Sequence, residues 1–220
     1  MAAILITGAA RGIGLALTQQ LAARGDRVIA VCRQASPGLA AIDGVRTITD
    51  IDVTAEDARA RLAAQLDKQA LDVVIHNAGV LTSETLGDLD LDRIRRQFEI
   101  NAVAPLALTQ LLQPNLRPGS KLILITSRMG SIDDNSSGAM YGYRMSKAAL
   151  NMAGKSLALD LKNQGIAVGI FHPGMVATDM TGQQGIPPEQ AATNLIARID
   201  QLTLDGSGQF LHADGSPLPW

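Results

Sequence analysis

Residues 1–14 read MAAILITGAARGIG: an apolar run of strand length, Ala2–Thr7, breaks into Gly8, Gly12 and Gly14 and then into a helix-favouring segment. A strand feeding a helix through glycines predicts a βα unit whose backbone turns tightly and can approach a ligand. Amide donors at the start of such a helix suit a pyrophosphate. The same glycines also serve a plain tight turn. The stretch lacks the Lys-Ser/Thr pair of a Walker loop, which argues against ATP or GTP.

Outward from this unit, apolar runs recur at Arg27–Cys32, Val45–Thr49, Asp72–His76, Lys121–Thr126 and Ile166–Phe171. Helical patterns lie between them, at about 13–24, 55–69, 91–112, 143–163 and 188–202. Several runs are apolar almost throughout, as parallel strands covered on both faces are. The alternation predicts an α/β fold, a doubly wound parallel sheet in one domain over residues 1–220. A seventh strand near Gln209–His212 completes the order 3-2-1-4-5-6-7. Pro105 is expected to kink or interrupt the helix over 91–112. The stretches 130–142 and 173–188 read as loops, and ligands of such sheets sit beyond the carboxyl ends of the strands.

Composition narrows the classes. At 220 residues, 46% hydrophobic and 18% charged, the chain can bury one sizeable core. A net charge of −2 with mixed signs lacks the basic footprint of a nucleic-acid binder, so any phosphate must be held by local groups. The lone Cys32 excludes an intrachain disulfide and points to a reducing compartment. With no basic leader and no long apolar span, a cytoplasmic protein without a membrane segment is expected.

In YRMSK, Tyr143 and Lys147 stand four apart, which puts both on one helix face about a turn apart. A free phenol has a pKa near ~10, so proton exchange at neutral pH needs its anion stabilised by about 3 to 4 kcal/mol. An ammonium at roughly 5.5 Å and an effective dielectric of about 20 contributes about 3 kcal/mol. The pair suggests acid and base chemistry on an oxygen. Tyr141 is a weaker claimant, because four residues later it meets Met145.

TGAARGIG at 7–14, Asp52, HNAG at 76–79, Asn101, Ser127, YRMSK at 143–147 and PGMVAT at 173–178 occur in an order that resembles the short-chain dehydrogenase/reductase (SDR) family, with its Rossmann fold. The ending GQFLHADGSPLPW further resembles the C-factor and sniffer-like carbonyl reductase branch. The resemblance implies an enzyme that reduces a ketone, aldehyde or quinone-like carbonyl with a nicotinamide dinucleotide. Ser127 then hydrogen-bonds the substrate oxygen, Tyr143 donates its proton, Lys147 binds the nicotinamide ribose and lowers the phenol pKa, and Asn101 supports a helix irregularity and a water. For the cofactor it implies Thr7, Gly8, Arg11, Gly12, Ile13 and Gly14 at the pyrophosphate turn. Asp52 and Val53 lie near the adenine, Asn77, Ala78 and Gly79 on the adenosine side, and Pro173, Gly174, Val176 and Thr178 at the nicotinamide. It implies a homodimer or homotetramer through the helices near 91–112 and 143–163. His76, where the family has asparagine, and His172 read as strand-end polar residues.

Cofactor choice is legible locally. NAD sites place an acid at the end of the second strand, where it repels a 2′-phosphate. Here that position is Cys32, followed by Arg33, and Arg11 stands within the glycine turn. Two guanidinium groups suit a 2′-phosphate, so NADPH/NADP+ is expected over NADH. Met129, Met140, Met175 and Met180 offer an adaptable apolar lining for a small, apolar carbonyl substrate. The competing reading is a sensor that binds NADPH on the same fold without turnover. An epimerase or dehydratase on nucleotide sugars finds little room after Thr178.

Overall fold

A computed structural model describes residues Met1–Trp220. Seven strands form one parallel sheet: β1 (Ala3–Thr7), β2 (Arg27–Val31), β3 (Arg46–Ile48), β4 (Val73–His76), β5 (Lys121–Ile125), β6 (Ala167–His172) and β7 (Phe210–His212), in the order β3-β2-β1-β4-β5-β6-β7. Each strand ends at the same edge because the registers run nearly level, with Thr7 opposite Val31, Ile6 opposite Ile75 and Ile125 opposite Phe171. That shared edge is where the conserved crossover hand of parallel units leaves a crevice.

Alternate residues along each strand feed two separate cores. Leu5, Ile29, Val74, Leu122 and Ile170 pack on one face with Leu62, Leu108, Leu150 and Leu157. Ile4, Ile6, Val28, Ile75, Ile123 and Phe171 pack on the other with Leu17, Leu21, Leu195 and Ile199. The strands are therefore apolar on both sides, and the period-two alternation vanishes from the sequence. The first core belongs to α3 (Glu56–Leu66), α5 (Ala104–Leu112) and α6 (Tyr141–Asp160); the second to α1 (Gly12–Ala23) and α7 (Pro188–Gln201). Each fully buried Leu or Ile contributes about 1.5–3 kcal/mol. No helix is long and apolar enough to cross a membrane.

Two elements depart from expectation. The helix over 91–112 is interrupted, but by a π-helical turn at Glu99–Val103 that separates α4 (Leu91–Phe98) from α5. Pro105 follows the break directly, at the second position of α5. A short helix, α2 (Pro37–Ala40), was not expected; Ser36 caps it by accepting a hydrogen bond from Leu39 N at 3.1 Å. The loops also carry 3₁₀ turns at Arg128–Gly130 and Asp179–Thr181.

The glycine turn is held by close backbone approach. A Cβ at Gly14 would stand 2.2 Å from Gly8 O and 2.6 Å from Asn77 Nδ2. Gly14→Ala should destabilise the protein by about 2 kcal/mol through overpacking. Gly87→Ala, where nothing lies within 4 Å, should cost under about 1 kcal/mol. Urea denaturation of the two variants checks the contrast.

Candidate active site

One cleft of about 2050 Å³ runs along the carboxyl edge of the sheet. Its lining joins Gly8, Arg11, Gly12 and Ile13 at one end to Ser127, Tyr143, Lys147 and His172 at the other, passing Asp52, Val53, Asn77, Ala78 and Gly79. Pro173, Gly174, Val176 and Thr178 close the same cleft. Thr7, Gly14 and Asn101 lie behind this surface and brace it.

Thr7 ends β1 and ties it to β4: its Oγ1 accepts from the backbone N–H of Asn77 at 3.1 Å and of Ala78 at 3.2 Å. Asn77 Nδ2 donates back to the carbonyls of Thr7 and Gly8, each at 3.1 Å. The first backbone bond of α1 runs from Leu15 N to Arg11 O, so the amides of Gly12, Ile13 and Gly14 precede the intrahelical ladder. Gly12 has φ +52, and a Cβ at Gly8 would meet Ala78 Cα at 2.8 Å. This bare, donor-rich turn fits the pyrophosphate of a dinucleotide.

Along the same lining, Asp52 accepts from Thr54 N at 2.9 Å and Thr54 Oγ1 at 2.8 Å, and these bonds hold its carboxyl below the usual range. Arg33 is exposed, makes no ion pair, and lies near enough to Asp52 to lower its pKa further. Arg11 instead pairs with Asp179, at 3.2 Å. Both partners are well exposed, so the pair is a weak hold on Arg11. Cys32, directly after β2, is buried.

The other end carries the phenol. Tyr143, Lys147 and Asn151 follow one another at four-residue spacing along α6, all three buried. Burial pushes the Tyr143 phenol up to about 12, offset in part by hydrogen bonding with Ser127. Burial also pushes the Lys147 ammonium down to about 8. The net shift of the phenol is upward, so in the protein alone burial outweighs the attraction to the ammonium that the spacing suggests. The physical reason is that both groups leave water, and desolvation disfavours each charged form. Lys147 Nζ stands 5.7 Å from the Tyr143 ring centre and donates to Ile125 O at 2.9 Å. Tyr141 lies outside the cleft lining, and Met145 is exposed.

Ser127 follows β5 and accepts from Met129 N at 3.1 Å, which orients its oxygen and leaves its proton free to donate. Asn151 accepts from Thr126 Oγ1 at 2.6 Å and donates to Gly130 O at 3.4 Å, fixing the residues on either side of Ser127 to α6. The sequence offered a signal for Asn151 in the repeated spacing of four. Asn101 lies inside the π turn, 1% exposed. Its amide exchanges two 2.9 Å bonds with Val80 and donates to Ser146 Oγ at 3.0 Å. The expected helix irregularity is thus present at Asn101.

His76 and His172 carry no charge at neutral pH, since burial lowers each to about 4. His76 Nε2 lies 2.9 Å from Thr109 Oγ1, in keeping with a strand-end polar role. His172 borders the cleft edge-on to His212, ring centres 5.1 Å apart, a neighbour visible only once β6 and β7 pair. Met129, Met175 and Met180 line the cleft; Met140 does not.

Comparison with known proteins agrees with this geometry. The family model for short chain dehydrogenases matches residues 2–187. A 1-hydroxy-2-glutathionyl-2-methyl-3-butene dehydrogenase of Rhodococcus sp. (strain AD45) is 45% identical, with 100% of both chains covered. Among solved structures, the carbonyl reductase Sniffer of D. melanogaster superposes with a TM-score of 0.91 at 30% identity over 100% of both chains. An NADPH-bound carbonyl reductase from chicken fatty liver gives 0.89 at 28% identity, covering 100% of this chain and 99% of that one. The likeness to carbonyl reductases, Sniffer included, agrees with the branch expected from the ending.

The buried lysine carries a stability cost with a definite sign. Folding lowers its pKa from 10.5 to about 8, so between those values the unfolded chain holds a proton that the folded chain has released. Wild-type stability should therefore gain from this group as pH rises through that window. Lys147→Met should be more stable at pH 7 by about 2 kcal/mol, the desolvation relief less one hydrogen bond. The advantage should shrink above pH 8, as denaturant midpoints across pH would show.

Proposed function

The chain belongs to the short-chain dehydrogenase family, and from that premise we propose that it is an NADP(H)-dependent reductase of small carbonyl compounds. The single observation that carries this reading is a buried, protonated Tyr143 beside Ser127 and Lys147, in a cleft continuous with the glycine turn. When bound, a nicotinamide dinucleotide supplies the hydride. The glycine-turn amides hold its pyrophosphate, Asn77 to Gly79 pass its adenosine side, and Val176 and Thr178 flank its carboxamide. Lys147 holds its ribose.

Ser127 donates a hydrogen bond to the substrate oxygen and holds it beside the phenol. Tyr143 gives its proton to that oxygen, a general-acid contribution of about 10²–10⁴-fold. The Lys147 ammonium, still mostly charged at neutral pH with a pKa of about 8, balances the resulting phenolate. Asn101 holds the loop beside it. With the phenol pushed up to about 12, the protonated form that reduction requires is the one present at neutral pH. The Rhodococcus relative is by its name a dehydrogenase, which favours the reverse direction; in that direction Tyr143 would first have to lose its proton. Met129, Met175 and Met180 at the cleft favour apolar carbonyls.

Preference for NADPH over NADH is supported by Arg33, free of ion pairs beside buried Cys32, with Arg11 weakly held nearby. The NADPH-bound chicken relative supports it too. We place the protein in the cytoplasm on its single thiol. A homodimer or homotetramer is supported by the exposed apolar side chains Val103 in the π turn, Leu106 on α5 and Met145, Met152 and Leu159 on α6. Light scattering should report a multiple of the chain mass, and Met152→Glu with Leu159→Glu should reduce it to one chain.

Tyr143→Phe should keep NADPH affinity within about threefold and lose roughly 10³-fold in turnover of an apolar ketone or quinone. Retained turnover would overturn the assignment of the donor. Arg33→Asp should weaken NADPH binding more than about tenfold and leave NADH binding unchanged or better. Equal affinity of the wild type for both dinucleotides would overturn the cofactor assignment.

A further inference from the structure

Glu84 is 1% exposed, has no cationic partner, and takes no part in the chemistry above. Its surroundings are all donors. Thr82 Oγ1 bonds Oε1, Gln97 Nε2 reaches both carboxylate oxygens at 3.2 and 3.4 Å, and Gly142 N reaches Oε2 at 3.4 Å. The backbone joins in, with Met140 N donating to Glu84 O at 2.7 Å.

These bonds meet at the amino end of α6, which lacks a cap of its own. Met140 occupies the cap position with no side-chain bond. It and Ala139 both have positive φ, +50 and +52, a strained approach for non-glycine residues. Gly142 leaves the space that Gln97 fills, since a Cβ there would stand 2.2 Å from Gln97 Nε2. Gln97 also accepts from Thr82 N at 3.1 Å, one turn before Asn101 binds Val80. Alternate residues of one loop, Val80, Thr82 and Glu84, are thereby tied to Asn101, Gln97 and the start of α6.

Resting on the reductase reading, we propose that Glu84 is a positioning residue for the reaction: its buried carboxylate caps α6 from another segment and, through Gln97, locks the Tyr143 helix to the loop held by Asn101. A carboxylate is needed because only it offers acceptors to every donor present. A glutamine amide would turn a donor towards Gly142 N–H or Gln97.

In Glu84→Gln, kcat and the single-turnover rate should fall about tenfold or more, as small misplacements of reacting groups do. NADPH affinity should stay within about threefold, and amides 139–146 should exchange hydrogen faster. The swap Glu84→Gln/Gln97→Glu restores complementary donors and acceptors and should recover the rate to within a few-fold of wild type. A single-variant rate within about twofold of wild type overturns the proposal, whether or not exchange quickens. If Glu84→Gln does not fold, Gly142→Ala breaks the same contact from the helix side and is read the same way. A wild type that turns over no carbonyl would sink the reductase reading alone; the exchange of 139–146 then decides the cap, and unchanged exchange overturns it.

Discussion

The site depends on taking a phenol and an ammonium out of water together. Desolvation drives their pKa values apart, Tyr143 up to about 12 and Lys147 down to about 8. Neither group is at ease, and neither can relax without opening the packing of α6 on β5. The protein thereby keeps a full proton on the phenol and an unscreened cation one turn away. When the proton leaves, that cation is already in place, in a medium where its charge counts for more than in water.

Holding two such groups requires rigidity, and the chain obtains it from buried polar side chains that bridge elements distant in sequence. Thr7 and Asn77 lock β1 to β4, Asn151 locks β5 to α6, and Asn101 locks the π turn to both the β4 loop and α6. Each bridge spans the carboxyl edge of the sheet, where backbone groups have no ladder partner left. Such groups must find side-chain partners when buried. The same bonds that satisfy strand ends therefore also fix Ser127, Tyr143 and Lys147 relative to one another.

Much of this was legible in the chain itself. The doubly covered strands announce themselves as apolar runs, and the glycines mark the turn because backbone approach at Gly8 and Gly14 leaves no room for a Cβ and Gly12 takes a positive φ. The spacing of Tyr143 and Lys147 places both on one helix face. What escaped depends on three-dimensional proximity. Local rules blame Pro105 for a helix break, whereas the π turn gathers around Asn101, whose amide is claimed by Val80 and Ser146. The pairing of Arg11 with Asp179 joins residues 168 apart. Coulomb attraction can be read from spacing, but desolvation requires knowing what covers the pair, and here it outweighs the attraction. Glu84 looks like any loop acid until Gly142 and Gln97 close over it.

The most direct test is a pH titration of Tyr143 by carbon NMR of ring-labelled protein without dinucleotide, with Tyr143→Phe assigning the signal, since the chain has only 2 tyrosines. Tyr143 should remain protonated well above the ordinary phenol range near ~10, moving towards about 12. A Tyr143 that ionises at or below the pKa of free tyrosine would contradict a site governed by desolvation.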